Sequence, residues 1–295
     1  MNKGSKLALA LMIFGAAVMV YPYAFMLGSS FKTRKEFAED RQSLIPARFQ
    51  PSEVLASLRG EESARDWPGA DWPLYQNYVD AIRYGSVDRY LANSFIYAVL
   101  ITSAQLFFNV LAAYAFARMR FAGRDLLFTL LLTTMMVPPA VLLVPNFLVV
   151  RDLGLVDTLW GILLPGFAGA FGIFLLRQAF LNIPAELEQA ARIDGCGSWG
   201  ILCNVILPLS KPALITLGLF TFMGAWNMFE WPLVVLSNQD YYPLTVGLSF
   251  FRAETSSDWP RIFAASAMGA APLIALFLVA QRYLVGGISL SGMKA

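Results

Sequence analysis

The sequence predicts an all-α integral membrane protein with six transmembrane helices and a helical cytoplasmic connection between the fourth and the fifth. Three observations lead there. Apolar residues make up 57% of the 295 and charged residues only 14%, where a soluble domain carries about 25% charge. The 22 basic and 20 acidic side chains are gathered in short polar segments. Between them lie nearly uncharged stretches of about 20 residues, the length that crosses a hydrocarbon core, and a helix lets such a stretch satisfy its own backbone.

The first stretch, 7–30, follows Lys3 and Lys6 as a signal peptide would, and Gly28-Ser29-Ser30 resembles a weak cleavage site. Its apolar core is too long for a signal sequence, so it reads as a helix. A polar segment, 32–93, comes next and carries Trp67, Trp72, Tyr75 and Tyr78 among mixed charges. Within it 79–90 suits a short interfacial helix, with Asn93 and Ser94 as caps for the second stretch, 94–117. The segment is either a solvated loop with aromatic interface anchors or a docking surface for an external partner. The third stretch, 125–149, contains Pro138-Pro139. Two prolines remove donors and clash with the preceding turn, so this helix should kink or break, for structure alone or to line a pathway. The fourth, fifth and sixth stretches are 158–179, 213–236 and 262–285. No similarity between the halves supports an internal repeat.

Placing both ends inside collects ten basic residues in the short inner segments, among them Arg118, Arg120, Arg124, Arg177 and Arg192, against Asp125, Glu186, Glu188 and Asp194. That is the bias of a cytoplasmic side. There is no histidine in the chain, which excludes imidazole acid-base chemistry, Ser-His or Cys-His pairs and His-containing zinc sites. Cys196 and Cys203 fall in an inner segment, where thiols stay reduced. No phosphate-binding glycine loop is present, and no basic stripe offers itself to nucleic acid. Catalytic and metal-ligating residues are therefore assigned to none.

The connection 182–212 carries the signals of two short helices. Asn182 can cap the first, Pro184 suits its first turn, Glu186 and Glu188 complement its positive end, and Gly195 suits a left-handed stop. Ser198 can cap a second, 199–206, ended by Leu207-Pro208. Leu187, Ala190, Ala191 and Asp194 share one side of the first helix, a low face that fits a groove. Periodicity alone is equally served by a helix lying on the membrane and joining two spans. In the fifth stretch Trp226, Asn227, Glu230 and Trp231 bring aromatic and polar groups to membrane depth. They are candidates for a substrate pathway, although Trp231-Pro232 also reads as a kink and Glu230 as a paired or snorkelling charge.

The run Glu188-Gln189-Ala190-Ala191-Arg192-Ile193-Asp194-Gly195, nine residues, then Val205-Ile206-Leu207-Pro208 resembles the EAA loop of bacterial ABC import permeases. Gln189 stands where that family usually has Glu, and Val205 where it has Ile. Further blocks resemble the carbohydrate permeases of maltose-transporter type: Ala113-Tyr114-Ala115-Phe116-Ala117-Arg118, Met136-Val137-Pro138, Leu153-Gly154-Leu155-Val156-Asp157-Thr158-Leu159-Trp160, Trp226-Asn227 with Trp231-Pro232, and the terminal Gly287 to Ala295.

The resemblance implies the type I importer fold, with 1–31 as first helix, 32–93 as outer loop, 94–285 as a five-helix core holding the 182–212 loop, and 286–295 as a cytoplasmic tail. It implies a non-catalytic subunit of a cytoplasmic (inner) membrane transporter, without a cofactor of its own. Its partners would be a second homologous permease, two cytosolic ATPases that bind ATP and magnesium, an external solute-binding protein and a saccharide. Glu186, Glu188, Gln189, Ala190, Ala191, Asp194 and Gly195 would then couple to the ATPase. The tail residues Ser289, Ser291 and Lys294 would touch it too, unless the tail is only a frayed terminus. The substrate expected is an oligosaccharide. Alternatives are an acidic oligosaccharide such as alginate-derived uronates, glycerol phosphate, or a secondary transporter working alone. The last should place charged groups in several spans, and only Glu230 lies in one.

Overall fold

The computed structural model describes residues 3–46, 73–255 and 258–289, and every regular element among them is helical. Three helices are long and apolar enough to cross a membrane by themselves, and six crossings are reached if each of three sharply bent helix pairs counts as one. The chain divides into two units, one of Met1–Arg89 with Gly247–Pro272, the other of Tyr90–Val246 with Leu273–Ala295.

In the first unit α1 (Lys3–Ser30) is the expected first span. The described parts of the polar segment after it, 32–46 and 73–93, carry helices and buried polar bonds. Thr33 caps α2 (Arg34–Glu39) with a reciprocal pair of bonds to Glu36, which satisfies donors at a helix start from both directions. Lys32 is fully buried and its ammonium donates to the carbonyls of Asp40 at 2.9 Å and Ser43 at 2.7 Å. Burial pulls its pKa down, partly offset by the charges of Asp40 and Glu36. On α3 (Gln76–Gly85) the Asn77 amide donates to the carbonyls of Ser30 and Lys32, both at 2.8 Å. Arg261 pairs with Asp80 at 3.2 Å and with Asp258 at 3.3 Å. Trp67 and Trp72 lie outside the described residues.

The helix expected at 79–90 is thus α3, and left-handed Ser86 (φ 49°) separates it from α4 (Val87–Arg118). Because α4 is already helical at Val87, Asn93 and Ser94 do not cap it. The Asn93 amide instead donates to the carbonyls of Asp240 and Tyr242, and the Ser94 hydroxyl accepts from Leu244 N, at the start of α13 (Leu244–Glu254).

In the second unit, Pro138-Pro139 breaks the third stretch into α5 (Arg124–Thr134) and α6 (Pro139–Asp152), bent by 104°. Pro139 opens α6, where its missing donor costs nothing. Two further breaks interrupt stretches expected to be continuous. The fourth is α7 (Leu159–Gly166) and α8 (Ala170–Leu181), bent by 43°. The fifth is α11 (Lys211–Trp226) and α12 (Glu230–Val235), separated at Asn227. The sixth is α14 (Trp259–Ser289).

In the 182–212 connection α9 (Ala185–Ile193) is capped at Pro184, while Asn182 closes the end of α8. Gly197, not Ser198, precedes α10 (Ser198–Leu209). Nor does Pro208 end that helix. The chain passes through a π-helical stretch, Leu202–Ile206, into Leu207–Leu209, since the wider turn accommodates a proline that cannot donate to the turn before it. By length and composition α10 is apolar enough to form a bent pair with α11, at 79°. Val110, Ala113, Tyr114 and Ala117 of α4, Ile173, Leu176 and Phe180 of α8, Ile201, Leu202 and Ile206 of α10, and Leu217 of α11 form one buried core.

Candidate functional site

The residues from Glu186 to Gly195 do come together as one element, α9, and its C-terminus is closed by a complete left-handed cap. Gly195 has φ +84°, its N–H donates to the Arg192 carbonyl at 3.0 Å, and the Cys196 N–H donates to Ala191 at 2.9 Å. These two bonds satisfy carbonyls that every helix end leaves open, and an L side chain at Gly195 would be strained. The same two bonds recur after α6 around Gly154 (φ +70°), which explains the Leu153-Gly154-Leu155 block.

Glu188 points inward. Its carboxylate meets the Arg118 guanidinium at 2.7 Å, with the two side chains 9% and 12% exposed. The other face of α9 is open: Glu186, Leu187, Gln189, Ala190, Ile193 and Asp194 are exposed. Ala191 departs from the expected face and packs half-buried on the core. Two apolar side chains that the sequence reading did not select extend the open surface, Ile193 at 86% exposure and Trp199 at 63%. Ile193 was legible as the i+3 position after Ala190; nothing in the spacing marked Trp199. Cys196 is a half-buried free thiol and Cys203 an exposed one. Ser291 and Lys294 lie outside the described residues, and Ser289 is described only as the end of α14.

Arg118 does more than pair with Glu188. Its Nη2 donates to the carbonyls of Phe180 and Ile183, both at 2.6 Å, at the end of α8. In return Arg177 of α8 donates to the Phe116 carbonyl at 3.2 Å, at the end of α4, while its guanidinium lies 4.1 Å over the Phe128 ring. Two helix C-termini, each with a partial negative charge, thus sit together with each other's arginine as cap. A cleft of about 700 Å³ beside α9 is lined by Arg118, Arg120, Arg124, Arg192 and Glu188. The sequence reading had used these arginines only to orient the chain.

The second candidate region forms a cleft of about 380 Å³ bordered by Gln105, Asn146, Thr221, Glu230 and Trp231, with Pro139 of the α5–α6 break in its wall. A neighbouring cleft of about 560 Å³ shares Gln105, Pro139, Asn146 and Thr221 and reaches the α7–α8 break at Gly169. Of the four candidates, Glu230 and Trp231 line the first cleft. Glu230 is exposed there, and Trp231 fixes its indole by donating to the Gly161 carbonyl at 3.1 Å. Trp226 is instead buried, stacked on Phe222, and Asn227 turns its amide back onto the Met223 carbonyl at 2.8 Å. Gln105 and Asn146, missed in the sequence, were visible as amides within apolar stretches. Buried Asn109 accepts from Gly169 N at 3.1 Å and so caps the start of α8. Among the described residues no group of three or more Cys, Asp or Glu could hold a metal.

A model of the binding-protein-dependent transport system inner membrane component family matches residues 105–285. The chain is 35% identical to the arabinooligosaccharides transport system permease protein AraQ of Halalkalibacterium halodurans, over 95% of this chain and 93% of that protein. It is 30% identical to the sn-glycerol-3-phosphate transport system permease protein UgpE of Brucella abortus, over 94% and 93%. Its fold superposes with a TM-score of 0.77 and 27% identity on a chain from the crystal structure of a bacterial ABC transporter involved in the import of the acidic polysaccharide alginate, covering 96% of this chain and 98% of that one.

Proposed function

The chain belongs to the binding-protein-dependent transport system inner membrane component family and is an ABC importer permease; from that premise we propose that it carries a neutral oligosaccharide, as the non-catalytic half of a heterodimer. An external binding protein delivers the sugar, and two cytosolic ATPases supply the energy from ATP and magnesium bound on their own surfaces. Family membership sets aside the stand-alone secondary transporter. Both termini are assigned to the cytoplasm, because Arg118, Arg120, Arg124 and Arg192 gather around α9 on the side where short loops carry positive charge.

The observation that carries the coupling assignment is the division of α9 into two faces. Glu188 anchors it inward, while Leu187, Ala190 and Ile193 present an apolar stripe outward. An exposed stripe on a short rigid helix suits a groove on a partner. Gln189 on that face makes its contact by hydrogen bonding, without the usual carboxylate. The tail residues Ser289, Ser291 and Lys294 are assigned a secondary contact with the ATPases.

The choice of a neutral sugar rests on the cleft, whose border carries the Glu230 carboxylate and no basic residue. The alginate and glycerol-phosphate likenesses favour an anionic substrate, and one experiment decides. The complex with its partner permease and ATPases is placed in liposomes with the binding protein, and uptake of maltotriose, arabinotriose, alginate trisaccharide and glycerol 3-phosphate is measured. ATP-dependent uptake of a neutral trisaccharide is expected. Uptake of only the anionic compounds overturns the substrate assignment. Full ATPase capture by an Ile193→Asp variant overturns the docking face.

A further inference from the structure

We propose that Arg118 is the positioning residue through which movement of α9 reaches two transmembrane helices at once. The inference rests on the coupling role given to α9 above. Arg118 is the last residue of α4, yet its guanidinium meets the Glu188 carboxylate on α9 and the Phe180 and Ile183 carbonyls at the end of α8. α8 is joined to α9 by a short stretch of chain, Asn182 to Pro184, as α10 is on the other side by Asp194 to Gly197. α4 lies more than 60 residues earlier in the sequence, and its charged link to α9 is this side chain, beside the apolar packing of Ala191 on the shared core. A displacement of α9 that did not pull on Arg118 would reach α8 and α10 through the chain and α4 through apolar packing alone.

The chemistry favours arginine for that task. A guanidinium is planar, permanently charged and carries five donors in a fixed fork, so it can hold a carboxylate on one edge and two carbonyls on another without internal rotation. Lysine could keep the charge but would lose the fixed geometry between its partners. The pair is also largely withdrawn from water, with side-chain exposures of 12% and 9%. In such surroundings breaking one partner away leaves the other charge uncompensated, so α9 and α4 are held as one body. Arg177 provides an internal comparison, since it joins the same two transmembrane helices at Phe116 and its other contact shown is with the Phe128 ring of α5.

The test uses the whole reconstituted transporter with its binding protein and the neutral trisaccharide, maltotriose or arabinotriose, that the unaltered complex imports. The quantity read is sugar imported per ATP hydrolysed. Arg118→Lys should assemble and hydrolyse ATP but import about tenfold less sugar for each ATP, and Glu188→Gln about threefold less. Arg177→Lys should leave the ratio as it is. An unchanged ratio in assembled Arg118→Lys overturns the proposal, as does an equal fall in Arg177→Lys, which would mark a general loosening of the α4–α8 joint. If Arg118→Lys fails to insert, Glu188→Gln decides alone, because it keeps both carbonyl bonds and removes only the charge on α9. A complex without any ATP-driven uptake would instead remove the coupling reading beneath the proposal.

Discussion

Replacing Gly172 by alanine tests the break in the fourth crossing. A Cβ at Gly172 would fall inside the envelope of the Asn109 side-chain amide, with Asn109 Cγ at 3.0 Å and Leu217 Cδ1 at 3.1 Å. Asn109 is fully buried and cannot swing outward. Its only relief is to rotate, and rotation takes Oδ1 away from Gly169 N, the donor it holds at 3.1 Å. Overpacking a close-packed site costs about 1–3 kcal/mol, and a buried donor left unpaired adds about 1–3 kcal/mol. A total of about 2–6 kcal/mol follows, equivalent to a fall in melting temperature of roughly 4–12 °C for a chain of this size. The assay is thermal unfolding of the detergent-purified protein for Gly172→Ala, Asn109→Ala and the double variant. The double variant should lie above the sum of the two single losses, because the methyl then occupies the space the amide vacates. Simple additivity, or a Gly172→Ala protein melting with the parent, would refute the reasoning.

Three further outcomes are expected. Gly195→Ala meets no neighbouring atom, so its cost is the left-handed backbone alone, about 1–2 kcal/mol; melts should rank Gly above Asn above Ala, and equal melts for Gly and Ala would dismiss the cap. Glu230→Gln should raise uptake of alginate trisaccharide severalfold and leave neutral sugar unchanged, since the carboxylate on the cleft border repels a like charge there; no change would remove Glu230 from the pathway. Lys32 titrates below its ordinary value when folded, so between its folded and unfolded pKa the unfolded chain binds more protons and stability rises with pH. Unfolding measured between pH 8 and 10.5 should show that rise, and Lys32→Met should flatten it.

All six crossings were legible as apolar stretches, because nothing else explains uncharged runs of that length. Their interruptions were legible only where a residue's own chemistry enforces them. Pro138-Pro139 announced the α5–α6 break. The α7–α8 break lies between Pro165-Gly166 and Gly169, a local turn signal that the reading of the sequence passed over, and Asn109 on another helix adds a bond to Gly169 N that the sequence does not show. The coupling element was legible as a segment and its orientation was not. Glu188 and Gln189 are adjacent acidic and polar positions, and what turns Glu188 inward is Arg118, 70 positions earlier. In the same way Asn93 and Ser94 have the chemistry of helix-start caps but their side chains find partners elsewhere, while Asn182 closes the end of α8 with its backbone N–H.

The exchange of arginines between α4 and α8 has a consequence for biosynthesis. The Phe116 carbonyl receives its protein donor from Arg177, 61 positions further along the chain. Until that stretch has been made and inserted, the Phe116 carbonyl has only water or lipid headgroups to bond. The second crossing therefore reaches the membrane with its C-terminal end unfinished and is completed by the fourth.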